Sequence, residues 1–178
     1  MKDPTAEAQQ ILHERALTLA RPLSNGTVTQ DGRLELLEFR LASERYAVES
    51  RFVQEVHPLR DLTPLPGTPP FVPGIVNVRG QILPVYDLKK LFDLPEPGLT
   101  DLHRVLHVRG HDMELGLLAD IVVSVRLIEA DSLQASLPTL TGIRADYLKG
   151  ITDDRVVVLD LDRILSDPKI IVHDEVEN

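Results

Sequence analysis

The sequence predicts a mostly β protein built as two similar small subdomains, and three observations carry that reading. A supersecondary pattern occurs twice. Residues 74–88 give a glycine, an apolar strand, a tight Arg79-Gly80 turn, a second apolar strand, and Asp87-Leu88 opening a short helix from Lys89 to Leu94. Residues 150–165 give Gly150-Ile151, a polar turn at Asp153-Asp154, the strand Arg155 to Leu159, and Asp160-Leu161 opening another short helix. Thirteen Pro and ten Gly in 178 residues imply many turns and short elements, which favours strands over a helical bundle. No strand alternates with a long crossover helix, as a parallel sheet would require. Small closed or nearly closed barrels satisfy all three.

The elements follow in order. Residues 1–22 read as a helix: Asp3 caps, Pro4 suits the first turn, and Ala8, Ile11, Leu12, Ala16 and Leu19 form one apolar face. A free helix of this length is marginal, so packing on its own protein is the commoner outcome. Asn25-Gly26 and Asp31-Gly32 mark a linker. Leu37, Phe39 and Leu41 alternate with Glu38 and Arg40, the period of a half-buried strand. Ser43 to Arg45 turn the chain and Tyr46 to Val48 return it. Arg51 to Val56 read as a single helical turn with Phe52, Val53 and Val56 as its apolar positions. Residues 57–73, rich in proline, read as extended or irregular. After the break at Pro95-Glu96-Pro97-Gly98, a second hairpin runs Arg104 to Val108 and Met113 to Leu118. Ile121 to Leu127 is a β-branched strand. Residues 129–146 read as loop, and Ile170-Ile171-Val172 can dock ahead of an acidic, frayed end.

The expected organisation is an amino-terminal helical extension (1–24), a linker (25–33), a two-barrel domain (34–166, units 37–94 and 104–165) and a tail (167–178). A chain of this size buries roughly 70% of its unfolded surface, in keeping with 43% hydrophobic residues. There is no cysteine, hence no disulfide framework, thiol chemistry or cysteine-ligated metal, which suits a reducing cytoplasm. The first residues lack the apolar stretch of a signal peptide, and no apolar run approaches the ~20 residues of a membrane span. The net charge of −9 opposes phosphate backbones, and 4% aromatics without tryptophan offers few stacking platforms.

Phosphate-loop, dinucleotide-glycine and hydrolase-elbow patterns are all absent. His103, His107 and His111 sit four apart. On a strand His103 and His107 share a face about 13 Å apart, and structural zinc needs four converging ligands. They are therefore expected to be exposed or rim residues. Asp153, Asp154, Asp160 and Asp162 fit no calcium loop. They read as a hairpin turn and, for Asp160 or Asp162, a helix cap; Asp87 reads as a cap too. Gly80 is expected at positive φ, where Arg79 would be strained. Asn77 and Arg79 face one side. They either present donors to a partner carboxylate or carbonyl row, or form a solvated hairpin tip. The chain is expected to bind rather than to catalyse.

Residues 34–165 resemble the CheW family of bacterial chemotaxis coupling proteins. The resemblance rests on Pro70-Phe71 before Gly74, Asn77-x-Arg79-Gly80, Pro84-Val85-x-Asp87-Leu88, Gly116-Leu117 with Asp120, and Tyr147 followed by Gly150. Glu38-Phe39, Tyr46 and Val53-x-Glu55-Val56 add to it. It implies two five-stranded barrels of the Src-homology-3 type side by side, with short helices. It also implies a cytoplasmic adaptor at chemoreceptor arrays, without enzymatic activity or cofactor. Such an adaptor joins the receptor signalling tip, lying in the groove between barrels, to the histidine kinase CheA. It pairs with the regulatory domain of that kinase and can close into rings with it. Carried over by position, Val53 and Arg79 face the receptor, supported by Glu55, Asn77 and Gly80, with Gly116 and Val123 in a second implicated segment. Kinase contacts are expected among apolar barrel-edge residues, none of them named. The amino-terminal helix lies outside the minimal family domain and adds a contact, mediates self-association or covers an edge strand. The alternatives are a CheW-like adaptor of another output such as twitching motility, a metal binder using His103, His107 and His111, and a small-ligand sensor.

Overall fold

The structure is a computed structural model and describes residues 32–95, 102–135 and 142–170; the expected amino-terminal helix lies outside the described residues. The first unit contains β1 (Arg33–Leu41), β2 (Glu44–Glu49), β3 (Val53–Pro58), β4 (Gly74–Val78), β5 (Gln81–Tyr86) and α1 (Leu88–Leu91). The second contains β6 (Arg104–Gly110), β7 (Met113–Ala119), β8 (Ile121–Glu129), α2 (Ile143–Asp146), β9 (Leu148–Ile151), β10 (Val157–Leu159) and α3 (Leu161–Ser166).

The strands form two five-stranded sheets, ordered β8-β1-β2-β10-β9 and β3-β6-β7-β5-β4. Neither unit folds onto itself. The β1–β2 hairpin joins the last three strands of the second unit, and the β6–β7 hairpin joins the last three of the first. Adding five to each strand number converts one order into the other. The registers agree residue by residue. Ala47 lies between Glu38 and Val158, and Val158 faces Gly150. Gly116 likewise lies between His107 and Val85, and Val85 faces Gly74. We call the sheets the first and second barrels.

Each barrel has a small core. Leu34, Leu36, Ala47, Val156 and Val158 fill the first, and Leu59, Val76, Leu83, Val85, Val105 and Leu118 the second. The larger core is shared. It runs from Leu37, Phe39 and Tyr46 through Phe92 and Ile164 to Leu106, Val108 and Leu117. Phe39, Tyr46 and Phe92 stack in sequence, with centroids 6.3 and 6.1 Å apart. The two barrels therefore hold one another through a common apolar layer.

This sharing corrects the reading of β1 as half-buried. Leu37, Phe39 and Leu41 face the shared core, while Leu34 and Leu36 face the first barrel's own core. Glu38 is consequently buried rather than solvated. The helical turn expected at Arg51 to Val56 shrinks to a 3-10 turn at Ser50–Phe52, because Val53 to Pro58 pair with β6. The loop expected over 129–146 contains a 3-10 turn at Ala130–Ser132 and α2. The helix caps are where expected: Asp87 accepts from the Lys89 amide and Asp160 from the Arg163 amide. Past α3 the chain stays docked as far as it is described. Ile170 is buried and its carbonyl accepts from the Tyr86 hydroxyl at 2.7 Å.

Candidate functional site

Arg79 and Gly80 have φ of 52° and 87°, so both central residues of the β4–β5 turn are left-handed. That geometry matches the twist of a hairpin. The turn thus asks left-handed backbone of Arg79 as well as of Gly80, and Asn77 helps to hold it. Its Oδ1 accepts from the Gly80 amide at 2.8 Å. The result is an arginine raised on a stiff turn, with its side chain 78% exposed.

Arg79 Nη2 donates to Glu55 Oε1 at 2.6 Å, and His57 Nε2 lies 3.3 Å from the other carboxylate oxygen. Glu55 and His57 are on β3, an outer strand. The register of β3 on β6 slips between Val53 and Glu55, a bulge of the kind that re-aims side chains at sheet edges. A cleft of about 230 Å³ lies alongside, its walls including His57, Arg60, Asp61, Val76 and Arg79. An ion pair this exposed contributes at most about 1 kcal/mol to stability. Its chief consequence is to hold a guanidinium and a carboxylate at a fixed spacing on the surface.

The structure thus brings Glu55, Asn77, Arg79 and Gly80 together. Val53 lies beneath them, buried in the shared core. Gly116 shares a cross-strand row with Glu55, through His107. A Cβ at Gly116 would sit 2.5 Å from Val105 Cγ1, so this position is closed to side chains. Val123 is on β8 in the other barrel, 48% exposed between Ile121 and Leu127, which are also exposed. His57 and the cleft residues Arg60 and Asp61 carry no sequence signal, since only the fold sets them beside Arg79.

The histidines correct another expectation. Of the three spaced four apart, His103 and His107 are buried and His111 is exposed. His103 Nε2 lies 2.9 Å from Asp120 Oδ1, which also accepts from the fully buried Lys89 at 2.6 Å. Asp120 Oδ2 accepts from the Ala42 amide at 2.7 Å. Burial alone would raise the Asp120 carboxyl, but the Lys89 hydrogen bond, the Ala42 amide and the charges of Lys89 and His103 hold it below the usual range. His107 Nε2 lies 2.9 Å from Glu114 Oε2, and His111 Nε2 lies 3.0 Å from Asp162 Oδ1. The three histidines therefore engage three different carboxylates. Among the described residues no three His, Asp or Glu side chains converge.

On the first barrel, Glu38 is enclosed by Arg45 and Arg126, at 3.3 and 3.6 Å. Both arginines also hold Asp154, in the β9–β10 turn, at 3.2 and 2.9 Å. Hydrogen bonds from Arg126 and Thr152 keep the Asp154 carboxyl well below the usual range. Asp153 accepts from Gln134 at 3.0 Å.

Two exchanged, five-stranded barrels with a shared core define a β scaffold of the Src-homology-3 type. The chain belongs to the family described as CheW-like domain, which matches residues 35–169. It is 28% identical over 166 residues to the chemotaxis protein CheW of Treponema pallidum, covering 89% of this chain and 93% of that one. It is 35% identical over 119 residues to protein FrzA of Myxococcus xanthus, covering 66% and 72%. Among solved structures, the scaffolding protein TtCheW of Thermoanaerobacter tengcongensis superposes with a TM-score of 0.68 at 33% identity, covering 78% and 95%.

Proposed function

We propose that this chain is a non-enzymatic coupling adaptor that joins the signalling tip of chemoreceptors to the histidine kinase CheA in the cytoplasm. The observation that carries the reading is the Arg79–Glu55 pair. A rigid turn and a bulged edge strand present opposite charges at a fixed 2.6 Å spacing, where they add little to stability. Such a pair is suited to exchange its internal partner for the polar groups of a helical receptor tip. Val123 and its exposed neighbours supply an apolar contact on the other barrel. Val53 and Gly116 act from beneath, by fixing the position of β3 and the flatness of the sheet behind it. Coupling follows if the adaptor binds one receptor state better than another, because that difference in free energy passes to the kinase.

The test is reconstitution of kinase autophosphorylation with receptor membranes, CheA and this protein. The chain should raise the rate severalfold over receptor and kinase alone, and Arg79→Glu should remove at least nine-tenths of the gain. A well-folded wild-type chain that leaves the rate unchanged overturns the reading. A second reading, an adaptor for another chemosensory output such as twitching motility, is favoured by the match to FrzA and by 30% identity to protein PilI of Pseudomonas aeruginosa. It predicts stimulation only with the kinase of that pathway.

A further inference from the structure

We propose that residues 1–22 of this chain dock their apolar face on the outer strand β8 and cover it. Among the described residues β8 is paired on one side only, with β1. Ile121, Val123 and Leu127 are 55%, 48% and 56% exposed along it, with a bulge at Val123 that sets Ile121, opposite Arg40, and Leu127, opposite Glu35, on different faces at the edge. An apolar outer strand with unpaired backbone groups is a template for unwanted association, and proteins blunt such edges with charge, proline or a covering element. The counterpart β3 is blunted by Glu55, His57 and Pro58. β8 has a bulge at Val123 but carries only Arg126 and Glu129 among nine residues, and Arg126 is engaged with Glu38 and Asp154.

The path of the chain selects the occupant. β1 begins at Arg33, paired with Glu129 at the end of β8, and the Gly32 carbonyl accepts from the Ala130 amide at 2.9 Å. The amino-terminal segment therefore joins the fold at this same edge. Residues 23–31 reach at most about 30 Å, and β8 is about 27 Å long, so the whole strand is within the tether. The predicted apolar face, Ala8 to Leu19, spans about 17 Å of helix, enough to run along the open edge past Val123. A helix of this length is marginal without a surface to bury it. The tether sets an effective concentration in the millimolar range, far above that of a second copy at micromolar protein. Docked there, the segment shields Val123 and competes with any partner that uses it. The docking does not depend on the receptor reading, and its test contains no receptor.

The chain has no cysteine, which leaves a clean background for cross-linking. Val123→Cys is combined in the full chain with Ile11→Cys, Leu12→Cys or Ala16→Cys on the apolar face, or with Gln10→Cys on the opposite face. The variants, checked for fold by denaturation, are treated at micromolar concentration with a short thiol–thiol cross-linker. At least one apolar-face pair should link within the chain ten times faster than the Gln10 pair. In the cysteine-free chain, Leu12→Asp should speed hydrogen exchange of β8 amides at least tenfold. Equal rates from both faces, no intrachain product, or only interchain product (a second copy on β8) overturns the proposal. Unchanged exchange in the Leu12→Asp variant overturns it as well.

Discussion

In the second barrel, Lys89 at the start of α1 pairs with Asp120 at the end of β7. At the matching places of the first barrel, Asp162 at the start of α3 pairs with Arg51 just past β2. The topology is the same and the signs are exchanged. The reversal recurs. Glu38 pairs with Arg45 across β1 and β2, where the register puts His107 and Glu114 across β6 and β7. In the second barrel, Arg79 in the turn reaches Glu55 on the edge strand; in the first, Asp154 in the turn reaches Arg126 on the edge strand.

The reversal bears on how the two units come to exchange strands. Apolar pattern alone does not separate the exchanged arrangement from one in which each unit closes on itself. Charge does. A self-closed first unit would set Lys89 against Arg51. A self-closed second unit would set Asp162 against Asp120, and Asp154 against Glu114. Like charges at close quarters destabilise the wrong pairing, while the exchanged fold turns each of these contacts into an opposite-charge or neutral one. The two ion pairs also differ in depth. Lys89 is fully buried, whereas Arg51 and Asp162 are 35% and 44% exposed.

That difference in depth sets the largest expected effect. Lys89→Met should cost about 3 kcal/mol of unfolding free energy by denaturant titration, since it takes the lysine from a largely buried Asp120 and leaves it only the Ala42 amide and His103. Asp162→Asn, which removes only the exposed carboxylate of the matching pair, should cost less than about 1 kcal/mol, and equal losses would break the comparison. Gly116→Ala, which drives a Cβ to 2.5 Å from Val105, should cost about 2 kcal/mol. Ala47→Gly, at the matching position, should cost only about 1 kcal/mol.

Asp162→Lys, at a side chain 44% exposed, should lower stability by no more than about 1 kcal/mol. The same change would turn the Asp162–Asp120 clash of a self-closed second unit into an attraction, leaving only that of Asp154 with Glu114. Size-exclusion chromatography after refolding should then show more misassembled protein than for the wild type. The smallest effect is in acid. Asp120 and Asp154 both titrate below their unfolded value, so the stability they contribute is present above about pH 4 and lost as pH falls through the folded values. Asp154→Asn should make the decline of stability below pH 4 measurably shallower.

Much of this fold was legible because it is local. Alternating apolar residues located the two hairpins, and Asp87 and Asp160 announced their helices by capping chemistry. The exchange of strands was not legible, because two similar units offer the same apolar surfaces to themselves as to each other. Glu38, His103 and His107 were read as exposed because polar residues on strands usually are. Glu38 and His103 are buried with the more distant partners Arg126 and Asp120, His107 with Glu114 across its own hairpin, and separate apolar cores lie against the two faces of β1. In the candidate site, family resemblance indicated Arg79 and Glu55, and only the turn and the bulge explain how they meet. Val53 shows the opposite case, a family position that the packing places beneath the surface.

The central claim is adaptor function, and the most direct measurement is calorimetric titration of the full chain with the regulatory domain of a CheA kinase from the same organism, with Arg79→Glu run alongside. The account predicts one-to-one binding at micromolar affinity or tighter, nearly unchanged in Arg79→Glu because the proposal assigns that residue to the receptor side. Absence of binding by well-folded protein to its cognate kinase domain would contradict the adaptor account, and a loss of tenfold or more in the variant would move Arg79 to the kinase interface.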